Sequence, residues 1–383
     1  MAGNAEHPLF TLCLSIFAVM LGLGFIVPLL PIYAEMLGAT GFEIGLVFAS
    51  FALVRALTTT PFGTLSDFFG RKLFMALGMA LYVVSSTALT FAETVQHLIF
   101  CRILQGVGSA LVVPAAAAYV ADLFAEDKRG EAMGVFNMAF FAGIGFGPLV
   151  GGVLADKISF HTPFYACSIL AFIGLILTLF KLREPKRVRP RGRIKISYGF
   201  HLLANVRMTS LIISRITLSI GISSLIVFFP VMVYRLGMST SEMGILLAVQ
   251  AAALIAFQKK FGRLSDKYGR KCPIVIGSVA AGLALILLGF SETILEFLIF
   301  LVVFGVSGGL SIPASSAAVA DISDPREFGE AMGLFTTSIS IGMTLGPIVG
   351  GLILDYLNIT GVFHMAATLL FAGATILLLM FKE

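Results

Sequence analysis

Twelve apolar runs of membrane-crossing length divide this 383-residue chain, and no other feature constrains its fold as tightly. They fall at 9–34, 44–63, 73–92, 97–121, 132–155 and 163–181, then at 209–234, 243–261, 272–290, 296–320, 331–354 and 362–381. About 20 apolar residues carry a helix across the hydrocarbon of a bilayer. Inside that layer every backbone N–H and C=O must find a partner within the protein, which leaves helices and closed barrels. The runs lack the alternation of barrel strands, so the expected fold is an all-α membrane protein of twelve transmembrane helices. Composition agrees, with 58% hydrophobic and 12% charged residues, against about 25% charged in a soluble domain.

Charge orients the chain. With both ends inside, 21 of the 26 Lys and Arg residues fall in cytoplasmic segments, and two, Lys157 and Arg235, fall in outer loops. Positive loops stay on the cytoplasmic side, so a multi-pass cell-membrane protein with both termini cytoplasmic is expected. The net charge of +5 follows this loop bias and gives no reason to expect nucleic acid. The first run has no Lys or Arg before it and is too long for a signal-peptide core, so no cleaved signal is expected. Cys13, Cys101, Cys167 and Cys272 show no metal-ligand spacing and read as packing residues, so neither a metal nor a cofactor is expected.

The chain is a duplication. The stretch Gly63-Thr-Leu-Ser-Asp67-Phe-Phe-Gly70-Arg71-Lys72 returns 199 positions later as Gly262-Arg-Leu-Ser-Asp266-Lys-Tyr-Gly269-Arg270-Lys271. The same offset carries Pro31 onto Pro230, Pro114 onto Pro313, Asp122 onto Asp321 and Gly147-Pro148 onto Gly346-Pro347 without a gap. Two six-helix bundles, 1–181 and 209–383, joined by a basic cytoplasmic linker at 182–208, are the expected organisation. That linker carries Lys186, Arg187, Arg189, Arg191, Arg193 and Lys195, and is topogenic or a contact for anionic lipid.

The repeated stretch reads as a short loop between helices, with Gly63, Gly70, Gly262 and Gly269 allowing turns and close approach. Asp67 suits the positive end of a neighbouring helix, Asp122 is placed to meet Arg71, and Asp266 and Arg270 stand at the matching positions of the second copy. These residues form a conformational latch; the alternative is a pair of capped turns. In the fourth run Arg102, Gln105, Gly106 and Ser109 share one helical face. A buried guanidinium is costly enough to mark a pathway or a pair; the alternative is an Arg reaching the outer interface. In the fifth run Gly143, Gly147 and Gly151 form a small-residue stripe beside Pro148, repeated near Gly346 and Pro347, suited to close packing or a hinge.

The duplicated loop resembles the loop signature of the major facilitator superfamily, a family of secondary transporters. The runs Arg102 to Ala110, Gly143 to Gly152 and Leu21-Gly22 through Pro28-Leu-Leu-Pro31 are similar to signatures of its twelve-helix drug:proton antiporter branch. The resemblance implies two parallel six-helix repeats around a central cavity, with alternating access, and a coupling role for Arg102 and Gln105. It also implies proton-coupled export of small amphipathic or drug-like molecules. Against that pattern, the first run holds no acidic residue before Glu35, and every Asp and Glu lies at or beyond a helix end.

Residues the duplication did not keep are better candidates for substrate contact. Arg55, Arg102 and Arg215 map onto Leu254, Leu301 and Ile16. Helical rise places these three arginines at different depths, as a ladder and not one cluster. Arg55, Arg215, Asn137, Gln250, Phe25, Phe140 and Phe141 are the expected cavity residues, with packing between helices as the alternative for each. Three arginines without an intramembrane carboxylate leave a second substrate class open, anionic metabolites or lipids with anionic headgroups. A sensor or scaffold that does not transport is a further alternative. His97, His161 and His364 form no catalytic cluster, so no enzyme is expected. The partners expected are a small-molecule substrate, protons and membrane lipids, and the protein is expected as a monomer.

Overall fold

The computed structural model describes residues 3–124, 126–185, 200–324 and 327–381, whose regular structure is entirely helical. The linker residues Lys186 to Lys195 lie outside the described residues, as do Arg326 and Lys382. The first half runs α1 (Gly3–Ile26), α2 (Leu30–Met36), α3 (Gly41–Phe69), α4 (Arg71–Thr90), α5 (Val95–Leu123), α6 (Glu126–Lys157) and α7 (Thr162–Lys181). After a 3₁₀ turn at Phe200–Ala204 come α8 (Val206–Arg235), α9 (Thr240–Tyr268), α10 (Lys271–Leu288), α11 (Ile294–Ile322), α12 (Phe328–Tyr356) and α13 (Ile359–Met380). Counting α1 with α2 as one, these make 12 spans long and apolar enough to cross a membrane. Large apolar side chains such as Phe100, Ile169, Phe180, Ile276 and Leu379 stay exposed on them, where lipid replaces water as solvent.

Two details depart from expectation. The first run is not one helix over 9–34, because it breaks into α1 and α2 at 27–29. Pro31 has no N–H for the preceding turn, and near the start of α2 that missing donor costs little. The duplicated stretch is mostly helix and not loop. Gly63–Phe69 close α3 and Gly262–Tyr268 close α9, so the turns fall to Gly70 at φ 124° and Gly269 at φ 86°. Gly63 and Gly262 make no turn; a side chain there would face Pro114 and Pro313.

The chain packs as two compact units. One comprises Met1–Tyr33, Ser50–Ile196 and Ser239–Gly244; the other comprises Ala34–Ala49, Ser197–Met238 and Ile245–Glu383. In the first, α1 lies on α6 and α7, while α4 lies on α5 and α7. In the second the 199-residue counterparts pack likewise, α8 on α12 and α13 and α10 on α11 and α13.

Glycine sets the depth of these seams. A Cβ added at Gly24 would stand 2.7 Å from the Gly147 Cα, and one at Gly143 would stand 2.8 Å from the Phe17 carbonyl oxygen. One at Gly151 would meet the Phe25 backbone at 2.6 Å, so Phe25 is buried in the α1–α6 seam. In α12, Gly342, Gly346 and Gly350 meet α8 at Ile216, Ile220 and Phe228. Such contact of backbones supplies the van der Waals attraction that lipid-facing surfaces cannot.

Each unit also holds a short segment from the other half of the sequence. In the first, Thr240 Oγ1 donates to the Gly152 carbonyl at 2.9 Å and Ser241 Oγ donates to Asp156 Oδ2 at 2.8 Å. In the second, Gly41 N–H donates to Asp355 Oδ1 at 2.5 Å and Phe42 N–H to Asp355 Oδ2 at 2.8 Å. Asp355 thus caps the first turn of α3, satisfying two donors that the helix itself leaves open. Asp156 and Asp355 are counterparts under the duplication.

A Gly147→Val substitution is expected to cost roughly 1–3 kcal/mol through overpacking, lowering the thermal unfolding midpoint of the purified protein in detergent. Gly130→Ala, where nothing lies within 4 Å of the added carbon, should leave that midpoint unchanged or raise it. Equal losses in both would refute close approach as the reason for glycine at 147.

Candidate functional site

In both units the polar residues of the repeated stretch assemble around an arginine. Arg71, 8% exposed, pairs with Asp67 and donates from Nε to Asp122 Oδ2 at 3.2 Å and from Nη1 to Ser66 Oγ at 2.6 Å. Its backbone N–H and that of Lys72 donate to the two Glu184 oxygens at 2.7 and 2.9 Å. Glu184 therefore caps α4 from the far end of the first half. It was not among the residues singled out from the sequence; the signal available was a lone acid in a basic linker. In the second unit Arg270 Nε donates to Asp321 at 2.8 Å, and its Nη1 donates to Ser265 at 2.8 Å and Asp266 at 2.5 Å. Partial burial works to lower the Arg270 pKa, but these two carboxylates outweigh it and hold the guanidinium above its ordinary value. The second cluster is the more open one, with Asp266 and Asp321 more than half exposed.

A second polar group lies inside the first unit. Arg102 does not reach a surface: it is 3% exposed, with its guanidinium carbon 4.2 Å above the Phe51 ring. Its Nη1 donates to Gln105 Oε1 at 2.9 Å, Gln105 Nε2 donates to Ser86 Oγ at 3.5 Å, and Ser86 lies 3.3 Å from Cys167 Sγ. Arg55, on α3, is half-buried, and Tyr82, on α4, is fully buried. Tyr82, Ser86 and Phe51 are apolar or small positions to a hydropathy reading, which is why they were passed over.

Arg215 is handled differently. It is 8% exposed in the second unit, 5.1 Å above the Phe335 ring, and its Nε and Nη1 are buried without a hydrogen-bond partner among the described residues. Gln250 lines a separate small cavity of about 40 Å³ with Leu218, Ile222, Leu254, Ala281, Phe304 and Gly308. Asn137 and Phe141 are exposed on α6, where the Phe140 and Phe141 rings meet edge to face at 5.4 Å. Cys13, Cys101 and Cys167 are buried; Cys272, at the start of α10, is exposed and does not pack inside.

The chain matches the Major Facilitator Superfamily over residues 12–239 and again over 211–383. It is 37% identical over 374 residues to an uncharacterized MFS-type transporter of Methanocaldococcus jannaschii, covering 95% of this chain and 96% of that one. It is 27% identical over 375 residues to the quinolone resistance protein NorA of Staphylococcus aureus, covering 97% and 96%. The fold aligns with a crystal structure of the nucleoside transporter NupG at a TM-score of 0.86 and 16% identity, covering 98% of this chain and 100% of that one.

Because Arg71 is the more buried centre, Arg71→Ala should destabilise on the order of 3 kcal/mol. Arg270→Ala should cost about 1 kcal/mol, the range of exposed pairs. Unfolding in detergent measures both; a larger loss for Arg270→Ala would overturn this ranking.

Proposed function

The chain belongs to the Major Facilitator Superfamily, and from that premise we propose that it is a secondary active exporter of small amphipathic or drug-like molecules. It exchanges them for protons by alternating access between the bundles 1–181 and 209–383, with both termini in the cytoplasm, and acts as a monomer. The observation that carries this reading is full-length similarity to a quinolone resistance protein, at 27% identity with no large unmatched region on either side. The buried Arg102–Gln105–Ser86 group supports it as the polar centre of the first unit, held by its own hydrogen bonds in a setting where a lone guanidinium is costly. Among the described residues the helical carboxylates lie towards the helix ends, so the proton carrier in this reading is an end group such as Asp67, Asp122, Asp156 or Asp355.

One observation favours a second substrate class. Arg215 keeps two buried guanidinium nitrogens, Nε and Nη1, without partners among the described residues, and a carboxylate, sulfonate or phosphate on an amphipathic substrate would accept from both. Transport in proteoliposomes separates the two readings. For a cationic amphipath, an imposed pH gradient should drive flux that a protonophore abolishes and that Arg215→Gln leaves unchanged. For an anionic amphipath, Arg215→Gln should slow flux roughly tenfold or more. Flux indifferent to the gradient for every substrate would sink the antiport reading.

A further inference from the structure

The last turns of α9 carry a charge pattern that neither fold nor latch uses. Lys259, Lys260, Arg263 and Lys267 are all exposed and, with Ala256 and Leu264, line a hollow of about 560 Å³. At about 100° per residue the four cations fall within an arc of roughly 100° along two turns of helix. None of them is in an ion pair among the described residues, and the nearest acid in sequence, Asp266, is held by Arg270. Like charges four apart destabilise a helix, and this segment has two such pairs, Lys259 with Arg263 and Arg263 with Lys267.

The duplication shows that the architecture does not require this cost. The 199-residue counterparts are Thr60, Pro61, Thr64 and Phe68, all uncharged, in a helix end of the same form. Leu264 keeps its counterpart in Leu65, so the apolar part of the face is shared and the charge was added to one repeat alone. Position points the same way. Lys259 lies 19 residues beyond the start of α9 at Thr240, or about 28 Å of helix, close to the thickness of the hydrocarbon layer. The cations therefore begin where headgroups begin, and the stacked Phe257 and Phe261 rings, 5.5 Å apart, lie at that same level.

We propose that this face of α9 is a binding site for a phosphate-bearing anion, the headgroup of an anionic phospholipid, with Lys259, Lys260, Arg263 and Lys267 holding the phosphate. Ala256, about one turn before Lys259, contacts the apolar part of the lipid. The site is absent from the first repeat and does not depend on what the protein transports.

Thermal unfolding of the full chain in zwitterionic detergent tests this, with phosphatidylglycerol, phosphatidylcholine or inorganic phosphate added at matched concentrations. Phosphatidylglycerol should raise the midpoint, phosphatidylcholine should not, and the rise should shrink as salt is increased. Apparent affinity should fall about fivefold per cation removed in Lys259→Gln and Arg263→Gln, singly and together. Equal shifts with inorganic phosphate would keep the site but replace the lipid with a free phosphate compound. A salt-insensitive response in the wild-type protein, or equal response to phosphatidylcholine, would overturn the proposal without reference to any variant. If the double variant folds poorly, Lys267→Gln alone carries the same expectation.

Discussion

Helices in lipid gain little from hiding apolar surface, since the acyl chains are as apolar as the side chains. Their association therefore rests on how closely backbones can approach, and here glycine sets that distance. The Gly143, Gly147 and Gly151 stripe lets α6 meet α1 at Gly24, and Gly342, Gly346 and Gly350 do the same for α12 against α8. Helices α1 and α8 are in turn the elements on which α7 and α13 pack. Fill those gaps with side chains and the partners of each central helix are displaced together.

On this scaffold charge is treated according to depth. At the helix ends, where water reaches, Arg71 and Arg270 each gather two carboxylates and a serine. Deeper, Arg102 is met by an amide and an aromatic face. Arg215 has the aromatic face, and its Nε and Nη1 are without partners among the described residues, a costly state in a buried place. The two arginines thus differ, Arg102 donating to Gln105 and Arg215 with two nitrogens unpartnered among the described residues, an asymmetry that the duplication does not impose.

Much of this was legible in one dimension. Run length and hydropathy marked all twelve spans, because a bilayer imposes its thickness directly on the chain. The 199-residue offset makes α8 and α12 the counterparts of α1 and α6, and the packing repeats with it, α1 on α6 in one unit and α8 on α12 in the other. The limits appeared where chemistry overrides hydropathy. Polar residues such as Asp67 and Asp266 read as loop yet continue α3 and α9, since a helix end in water needs no apolar face. Pro28 and Pro31 break a run whose hydropathy is unbroken.

The sequence by itself determined the number of membrane spans, their order, their duplication and the family, all properties that depend on neighbours a few residues apart or on a fixed offset. Only the tertiary structure decided which polar groups meet. Glu184 caps α4 across a separation of 113 residues, and Asp355 caps α3 across 314. Ser86 on α4 accepts from Gln105 on α5. No periodicity encodes such contacts, because they depend on the rotation and depth at which packed helices come to rest, and glycine at the seams sets both.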